Sequence, residues 1–487
     1  MQLNMVKTIS KKETNGFFFI LKYFLLLGLY QSSELQAEVL FIDRNTQDTA
    51  TRTKNLEAEW SFFIYMQARN NLAPFAAKNL ESIAKFKTNP NVNFIVQWDQ
   101  PKQKGAWRYK IEKNTVALEN YTDVKDPLNQ TDKFVEFIRW GVANFPAKKN
   151  CIIFWNHGVG PLNPPYGNPV RMLLSERNSS ICLAPEKFIF LEPTDALPTD
   201  EEIAHMTEKS SRGILFDEDN RSYMTNDDIT TALTKITSKE ILGKKIDCLG
   251  FDACYMGGIE IATEVCRHAD YMIASQELEL ARGWNYESIA EKINTTNMSS
   301  AQLAKIIVSS YGDMYRGNSN IFTQAAIKLG DTEKMTRDLD KVIDAVETAA
   351  REDKMFLLET IRSARKNCLQ FTAKVYVDLH SFYEHMLDHV EARVALLNQT
   401  SQRYRPRKTG AASSSLQASL ENLVKALKEA TAGICSTVIE NTCSNYLAKA
   451  KGVSIYFPTR GVDISYEASF FARNSRWLNF IRAFSMR

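Results

Sequence analysis

Two short apolar runs, each stopping on a residue able to do chemistry, constrain this chain most. Cys151-Ile152-Ile153-Phe154-Trp155 ends on Asn156-His157-Gly158, and Ile246-Asp247-Cys248-Leu249-Gly250-Phe251 ends on Asp252-Ala253-Cys254. Runs of this length, bounded by turn residues, read as buried strands. They belong to a longer alternation, with strand-like segments at 60–68, 92–98, 107–113, 271–275 and 321–329 and helix-like segments at 72–86, 133–145, 257–267 and 301–315. That rhythm predicts βαβ units packed as a mainly parallel sheet between helices. A helical zone from Thr332 to about Arg365, a helix near 416–430 and a last strand at 453–457 before Pro458 complete the pattern.

In open α/β sheets the crevice beyond the carboxyl ends of the strands is where ligands bind. His157 and Cys254 both stand at such ends, so the fold brings them to one site despite their separation in sequence. A thiol beside an imidazole supplies a nucleophile and its proton acceptor, and backbone N–H groups can receive an oxyanion. The helix-like segment after Cys254 offers an N-terminal end that favours a thiolate, and Gly158 leaves the backbone bare where a carbonyl could approach.

The extended motifs W-N-H-G-V-G, residues 155–160, and D-A-C-Y-M-G-G-I-E, residues 252–260, resemble the His and Cys boxes of the clostripain family. The likeness runs from about residue 59 to 485: Phe63-Ile64-Tyr65-Met66 with Asn71-Leu72, Arg212-Gly213, Gly283-Trp284-Asn285-Tyr286, Tyr376-Val377-Asp378-Leu379 and Gly452 to Pro458 are similar to family segments. The resemblance implies a caspase-like three-layer α/β/α sandwich with a largely helical C-terminal elaboration, a Cys/His dyad without an obligatory third carboxylate, a thioester acyl-enzyme, and cleavage of polypeptides after basic residues. It assigns His157 to proton transfer, Cys254 to nucleophilic attack, the N–H groups of Gly158 and Cys254 to the oxyanion, and Asp252 to the S1 pocket.

One departure bears on specificity. Arg282 stands where relatives carry an acidic residue, just before Gly283-Trp284. A cation at the pocket floor would oppose Arg or Lys at P1, so either Glu277 or Glu279 compensates with Arg282 turned outward, or the preference has shifted to a neutral or acidic side chain. A second departure is the proline-rich insert at 161–211, which reads as an exposed loop; Arg171, Arg177, Lys187, Lys209 and Arg212 are its basic sites for self-cleavage. No cofactor is required. Calcium has a loose acidic loop in Asp217, Asp219 and Asp228, with Ser222 where an EF-hand needs Gly; the competing reading is a turn followed by Thr225 and Asp228 capping a helix. His385 and His389 lack the glutamate of a zinc-peptidase motif.

Residues 1–37 read as an export signal: Lys7, Lys11 and Lys12 precede an apolar run at 17–30, with cleavage after Ala37. The expected organisation is that signal, a peptidase core at 38–345 and a C-terminal region at 346–487, acting in the periplasm or outside the cell as a monomer without stable membrane association. The whole chain carries a formal charge of +3, and the one dense basic stripe, Arg403 to Lys408, adjoins a Ser-rich stretch, which argues against nucleic acid. Cys435 and Cys443 are the disulfide candidates, whereas Cys151 and Cys248 lie in apolar runs as small hydrophobes. The alternatives to an active basic-specific peptidase are a silent caspase-fold module that binds peptides or proteins, a peptidase with non-basic P1 preference, and another acyl-transfer enzyme using the same dyad.

Overall fold

The computed structural model describes residues 39–44, 57–85, 89–122, 129–162, 213–293, 298–403 and 410–484. The signal segment, almost all of the 161–211 insert with its basic sites, and Cys182 lie outside these residues. The strands are β1 (Leu40–Asp43), β2 (Ala58–Gln67), β3 (Val92–Asp99), β4 (Ala106–Glu112), β5 (Thr115–Thr122), β6 (Ala147–Trp155), β7 (Ile214–Asp217), β8 (Ser222–Met224), β9 (Ile246–Asp252), β10 (Ala269–Ala274), β11 (Thr323–Lys328), β12 (Tyr376–Asp378), β13 (Val438–Cys443) and β14 (Ser454–Tyr456). Ten of them form one sheet in the order β1-β5-β4-β3-β2-β6-β9-β10-β11-β13. Its centre, β3-β2-β6-β9-β10, is parallel, and antiparallel pairs flank it on both sides.

The near-continuous apolar strands are buried on both faces, as a parallel sheet requires. Along β2, Phe63 and Tyr65 face one core while Trp60, Phe62, Ile64 and Met66 face the other. Helices α1 (Ala73–Ala84), on the second face, and α2 (Gln130–Asn144) and α3 (Asn226–Thr237), on the first, cover the sheet, joined by α4 (Ile259–Val265) on the first and α5 (Tyr286–Lys292) and α6 (Ser300–Tyr315) on the second. The result is the three-layer α/β/α sandwich of caspase-like type. Phe154 of β6 stacks on Phe251 of β9 with centroids 5.2 Å apart, and on the opposite face Cys151 pairs in register with Cys248, both buried.

The expected single helical zone is two helices, α7 (Thr332–Glu352) and α8 (Lys354–Asn367). Asp353 divides them because its carboxylate accepts from Phe356 N at 3.1 Å and caps the second. The later helices are α9 (Leu379–Arg403), α10 (Gly410–Thr437), α11 (Ile464–Glu467), α12 (Phe470–Asn474) and α13 (Trp477–Phe484). His385 and His389 lie on α9, where His389 meets Ser363 Oγ at 2.9 Å. Residues beyond 345 add β13 to the main sheet, and Val39–Arg487 form one compact unit. Cys435 and Cys443 carry free thiols instead of the expected bridge. Among the described residues no helix is long and apolar enough to cross a membrane.

Glu260 on α4 joins the C-terminal region to the sheet. Its Oε1 accepts from Tyr456 N at 2.8 Å and from Tyr466 OH at 3.1 Å. Burial pushes this carboxyl up to about 7, so the folded state holds a proton there that the unfolded chain releases above about 4.5. That contribution is complete below pH 4.5 and is lost as pH rises through 7. In Glu260→Gln, stability relative to the parent should therefore improve between pH 5 and pH 8 by on the order of 2 kcal/mol, read by urea unfolding. An unchanged difference across that range contradicts the assignment.

Candidate functional site

The register of β6 on β9 pairs Trp155 with Asp252, and Asn156 N donates to Asp252 O at 3.2 Å. Both strands then end, so His157 and Cys254 each leave the sheet two residues beyond that pair. They line one cavity of about 20 Å³ with Leu72, Asp252, Glu279 and Gly283. This is room for about one water.

What aims His157 is the buried amide of Asn156. Its Oδ1 accepts from Phe216 N at 3.0 Å and from His157 N at 2.5 Å, and its Nδ2 donates to Phe216 O at 3.2 Å and to Gln67 O. Asn70 repeats the pattern from the other side: Nδ2 donates to the same Phe216 O at 2.9 Å, and Oδ1 accepts from Leu72 N at 2.9 Å. The ends of β2, β6 and β7 are thereby fixed to one another through two side-chain amides. The His157 ring, half-buried, stands edge-on to Phe216 at 6.2 Å, and its Nε2 meets Asn71 Oδ1 at 2.7 Å.

Cys254 is 7% exposed, and its sulfur accepts from Glu279 N at 3.2 Å with the Gly158 N–H also turned to it. The helix expected to favour its thiolate begins only at Ile259, because Tyr255 takes a left-handed φ of 61° and the chain turns before α4. Loop N–H groups meet the sulfur instead. Burial pushes the thiol up to about 12 and the imidazole down to about 4, so both rest neutral at pH 7. Gly158 is required by space: a Cβ there would lie 2.6 Å from Cys254 O.

Asp252 is buried beneath Gly283, where it accepts from Tyr286 OH at 2.8 Å and Trp284 N at 3.2 Å. Glu279 is also buried. Its Oε1 accepts from Gln324 Nε2 at 3.3 Å and Oε2 has no partner within hydrogen-bond distance, while the side chains of Trp284, Ser275 and Tyr311 act on the carboxyl to favour its charged form. Burial holds both carboxyls above the usual carboxylate range, and Asp252 adds its repulsion at Glu279.

Glu277 and Arg282 do not line this cavity. Glu277 accepts from Thr372 N at 2.8 Å and Leu278 N at 2.9 Å, latching the turn to the C-terminal region. Arg282 is exposed and lines an outer groove with Lys78 and Lys85, its carbonyl held by Asn79 Nδ2 at 2.9 Å. The calcium candidates each bond to other parts of the protein. Asp217 accepts from Arg69 Nη1 at 3.2 Å and Asn220 N at 2.9 Å, Asp219 from Lys102 N at 2.6 Å, and Asp228 from Thr225 N at 2.9 Å in a capping box. The three carboxylates thus serve separate protein donors. Among the described residues, no group of three or more His, Cys, Asp and Glu is placed to hold a metal ion.

The sequence profile of the clostripain family matches residues 64–173 and 195–483. Clostripain of Hathewaya histolytica is 25% identical over 275 residues, a match covering 51% of this chain and 44% of clostripain's own length. Two solved structures share the fold. A secreted cysteine protease from Bacteroides thetaiotaomicron, solved with an irreversible peptide inhibitor, superposes with a TM-score of 0.52 at 16% identity, over 87% of this chain and 99% of that one. An inactive zymogen protease from Parabacteroides distasonis gives 0.50 at 15% identity, over 89% and 99%.

Asn71 and Asn156 fall within the quoted motifs, but their roles emerge only from the structure, since an asparagine in a loop carries no distinguishing pattern; Glu279 is an S1 candidate in the sequence, and the structure adds its unpartnered Oε2. Asn156 yields a direct test. In Asn156→Ala the Phe216 N–H loses its acceptor inside the protein, so the free energy of unfolding in urea should fall by on the order of 3 kcal/mol. A loss below about 0.5 kcal/mol, the range of ordinary surface substitutions, contradicts the clamp.

Proposed function

We propose that this chain, which belongs to the clostripain family of peptidases, is an exported cysteine endopeptidase that cleaves after Arg or Lys through Cys254 and His157. The observation that carries this reading is the Trp155–Asp252 register, which brings the thiol and the imidazole to one cavity at adjacent parallel strand ends. With both groups neutral at rest, the Sγ proton passes to His157 as sulfur attacks the scissile carbonyl carbon. The N–H groups of Gly158 and Cys254 receive the oxyanion. Collapse breaks the C–N bond, His157 returns the proton to the leaving amine, and a thioester remains. Water, deprotonated by His157, then attacks the thioester and releases the new carboxyl terminus and the thiol.

Asp252 and Glu279 support a basic P1 side chain. Glu279 lines the cavity and keeps one buried oxygen without a partner, and on giving up its proton it would offer a guanidinium or ammonium a charge-assisted hydrogen bond. The outward course of Arg282 removes the cation that would oppose it. The cavity is smaller than an arginine side chain, so the turn carrying Leu280 to Gly283 yields as substrate enters. Residues 1–37 direct export, and the basic residues of the 161–211 insert are the sites at which the enzyme cuts itself.

Purified mature protein profiled against a mixed peptide library should cut after Arg or Lys, and Cys254→Ala should be inactive with its insert uncut. Cleavage that survives in Cys254→Ala sinks the mechanism, and cleavage that never follows a basic residue sinks the S1 reading alone. Replacing Glu279 by Gln should lower kcat/KM for an Arg-P1 fluorogenic peptide about 10- to 100-fold, the worth of one buried charge-assisted hydrogen bond. An unchanged value removes Glu279 from S1.

A further inference from the structure

We propose that Asn71 is the positioning residue of His157, holding its proton on Nε2 so that Nδ1 is the nitrogen that takes the thiol's proton. The inference rests on the reading of Cys254 and His157 as the reacting pair. Three observations carry it. The contact between His157 Nε2 and Asn71 Oδ1 is short, 2.7 Å, and joins the ring to a residue 86 positions away on a different strand end. An amide oxygen cannot donate, so in this contact Nε2 bears the hydrogen and Nδ1 keeps its lone pair.

The second observation is that the loop carrying Asn71 is built to hold its place. Asn70, one residue earlier, binds Phe216 O at 2.9 Å and closes a turn through Leu72 N at 2.9 Å. Phe216 O is also the carbonyl that receives Asn156 Nδ2 at 3.2 Å, and Asn156 Oδ1 receives His157 N at 2.5 Å. The backbones of Asn71 and His157 are thus referred to the same peptide unit. Leu72, the next residue, lines the cavity together with Cys254 and Glu279.

The third observation is electrostatic. Burial holds the His157 ring well below the usual imidazole range, and the groups in contact with it, Asn71 and Phe216, carry no charge. Cys254, Asp252 and Glu279 are the titratable groups that line the same cavity, and burial holds all three toward their neutral forms. The tautomer is therefore set by hydrogen bonding, and Asn71 is the side chain that bonds the ring. During acylation the thiol proton moves to Nδ1 as the S–C bond forms, Nε2–H stays on the Asn71 oxygen, and the Nδ1 proton leaves with the amine when the C–N bond breaks.

The test compares Asn71→Ala and the near-isosteric Asn71→Asp with the parent and with Cys254→Ala, using one Arg-P1 peptide from pH 5 to 9. In Asn71→Ala kcat should fall about 10- to 100-fold with KM changed less than about twofold, because orientation is lost and binding is not. Asn71→Asp keeps the acceptor and adds charge, so it should recover most of kcat and move the acid limb of kcat/KM to higher pH by about one unit. Should Asn71→Ala fail to fold by circular dichroism, the displaced limb in Asn71→Asp still carries the decision. Wild-type kcat in a folded Asn71→Ala, or an unmoved acid limb in Asn71→Asp, overturns the role. Activity lost in Cys254→Ala but intact in Asn71→Ala overturns this inference alone, whereas activity kept in Cys254→Ala overturns the reading of the site beneath it.

Discussion

A primary amide buried between strand ends can satisfy a backbone N–H and a backbone C=O at once, and Asn156 does so with the two sides of Phe216. The parallel strands β2 and β6 leave their carboxyl ends as loose loops unless something ties them across the sheet's mouth to the β7-β8 hairpin. Asn156 and Asn70 supply the bridge, and the low dielectric around them makes each unmade bond costly. His157, Asn71 and the wall of the cavity inherit their positions from these two amides. The nucleophile's side is fixed differently, by Tyr255 packing on Tyr376 with centroids 5.3 Å apart and by Tyr376 OH donating to Val159 O. The C-terminal region therefore reaches both boxes through one tyrosine.

The parallel centre of the sheet and the meeting of His157 with Cys254 were legible in the sequence because both follow from strand periodicity and from where parallel strands end. What stayed hidden has physical causes of its own. Strand β13, with Glu440 and Asn441 in it, is too polar to read as part of a buried sheet, and it sits at the edge where one side needs no apolar cover. The division of α7 from α8 depends on a single capping aspartate in an otherwise helical run. Arg282 reads in sequence as an intruder in the pocket; the positive φ of Gly283 beside it lets the turn pass over Asp252 while the arginine faces the outer groove.

The electrostatics of the cavity describe a site at rest. A thiol and an imidazole, each kept neutral by burial, store no ion pair, and the Glu279 N–H holds the sulfur; in the proposed reaction substrate displaces that turn. Two carboxyls held above their usual range wait on the other side of that turn. Under the proposed basic P1 preference, a side chain entering between them would exchange a proton for a cation, tying recognition of P1 to opening of the nucleophile. Both events act on the short stretch from Glu277 to Trp284.

Cys254 Sγ is proposed as the nucleophile and His157 as its proton partner. Mass spectrometry of the protein treated with a peptidyl chloromethyl ketone ending in arginine tests this assignment most directly. One covalent adduct is expected, on the peptide containing Cys254, that is lost in His157→Ala while the exposed Cys435 stays unlabelled at low reagent concentration. Labelling of another residue, or continued peptide cleavage by protein that is fully modified at Cys254, would contradict it.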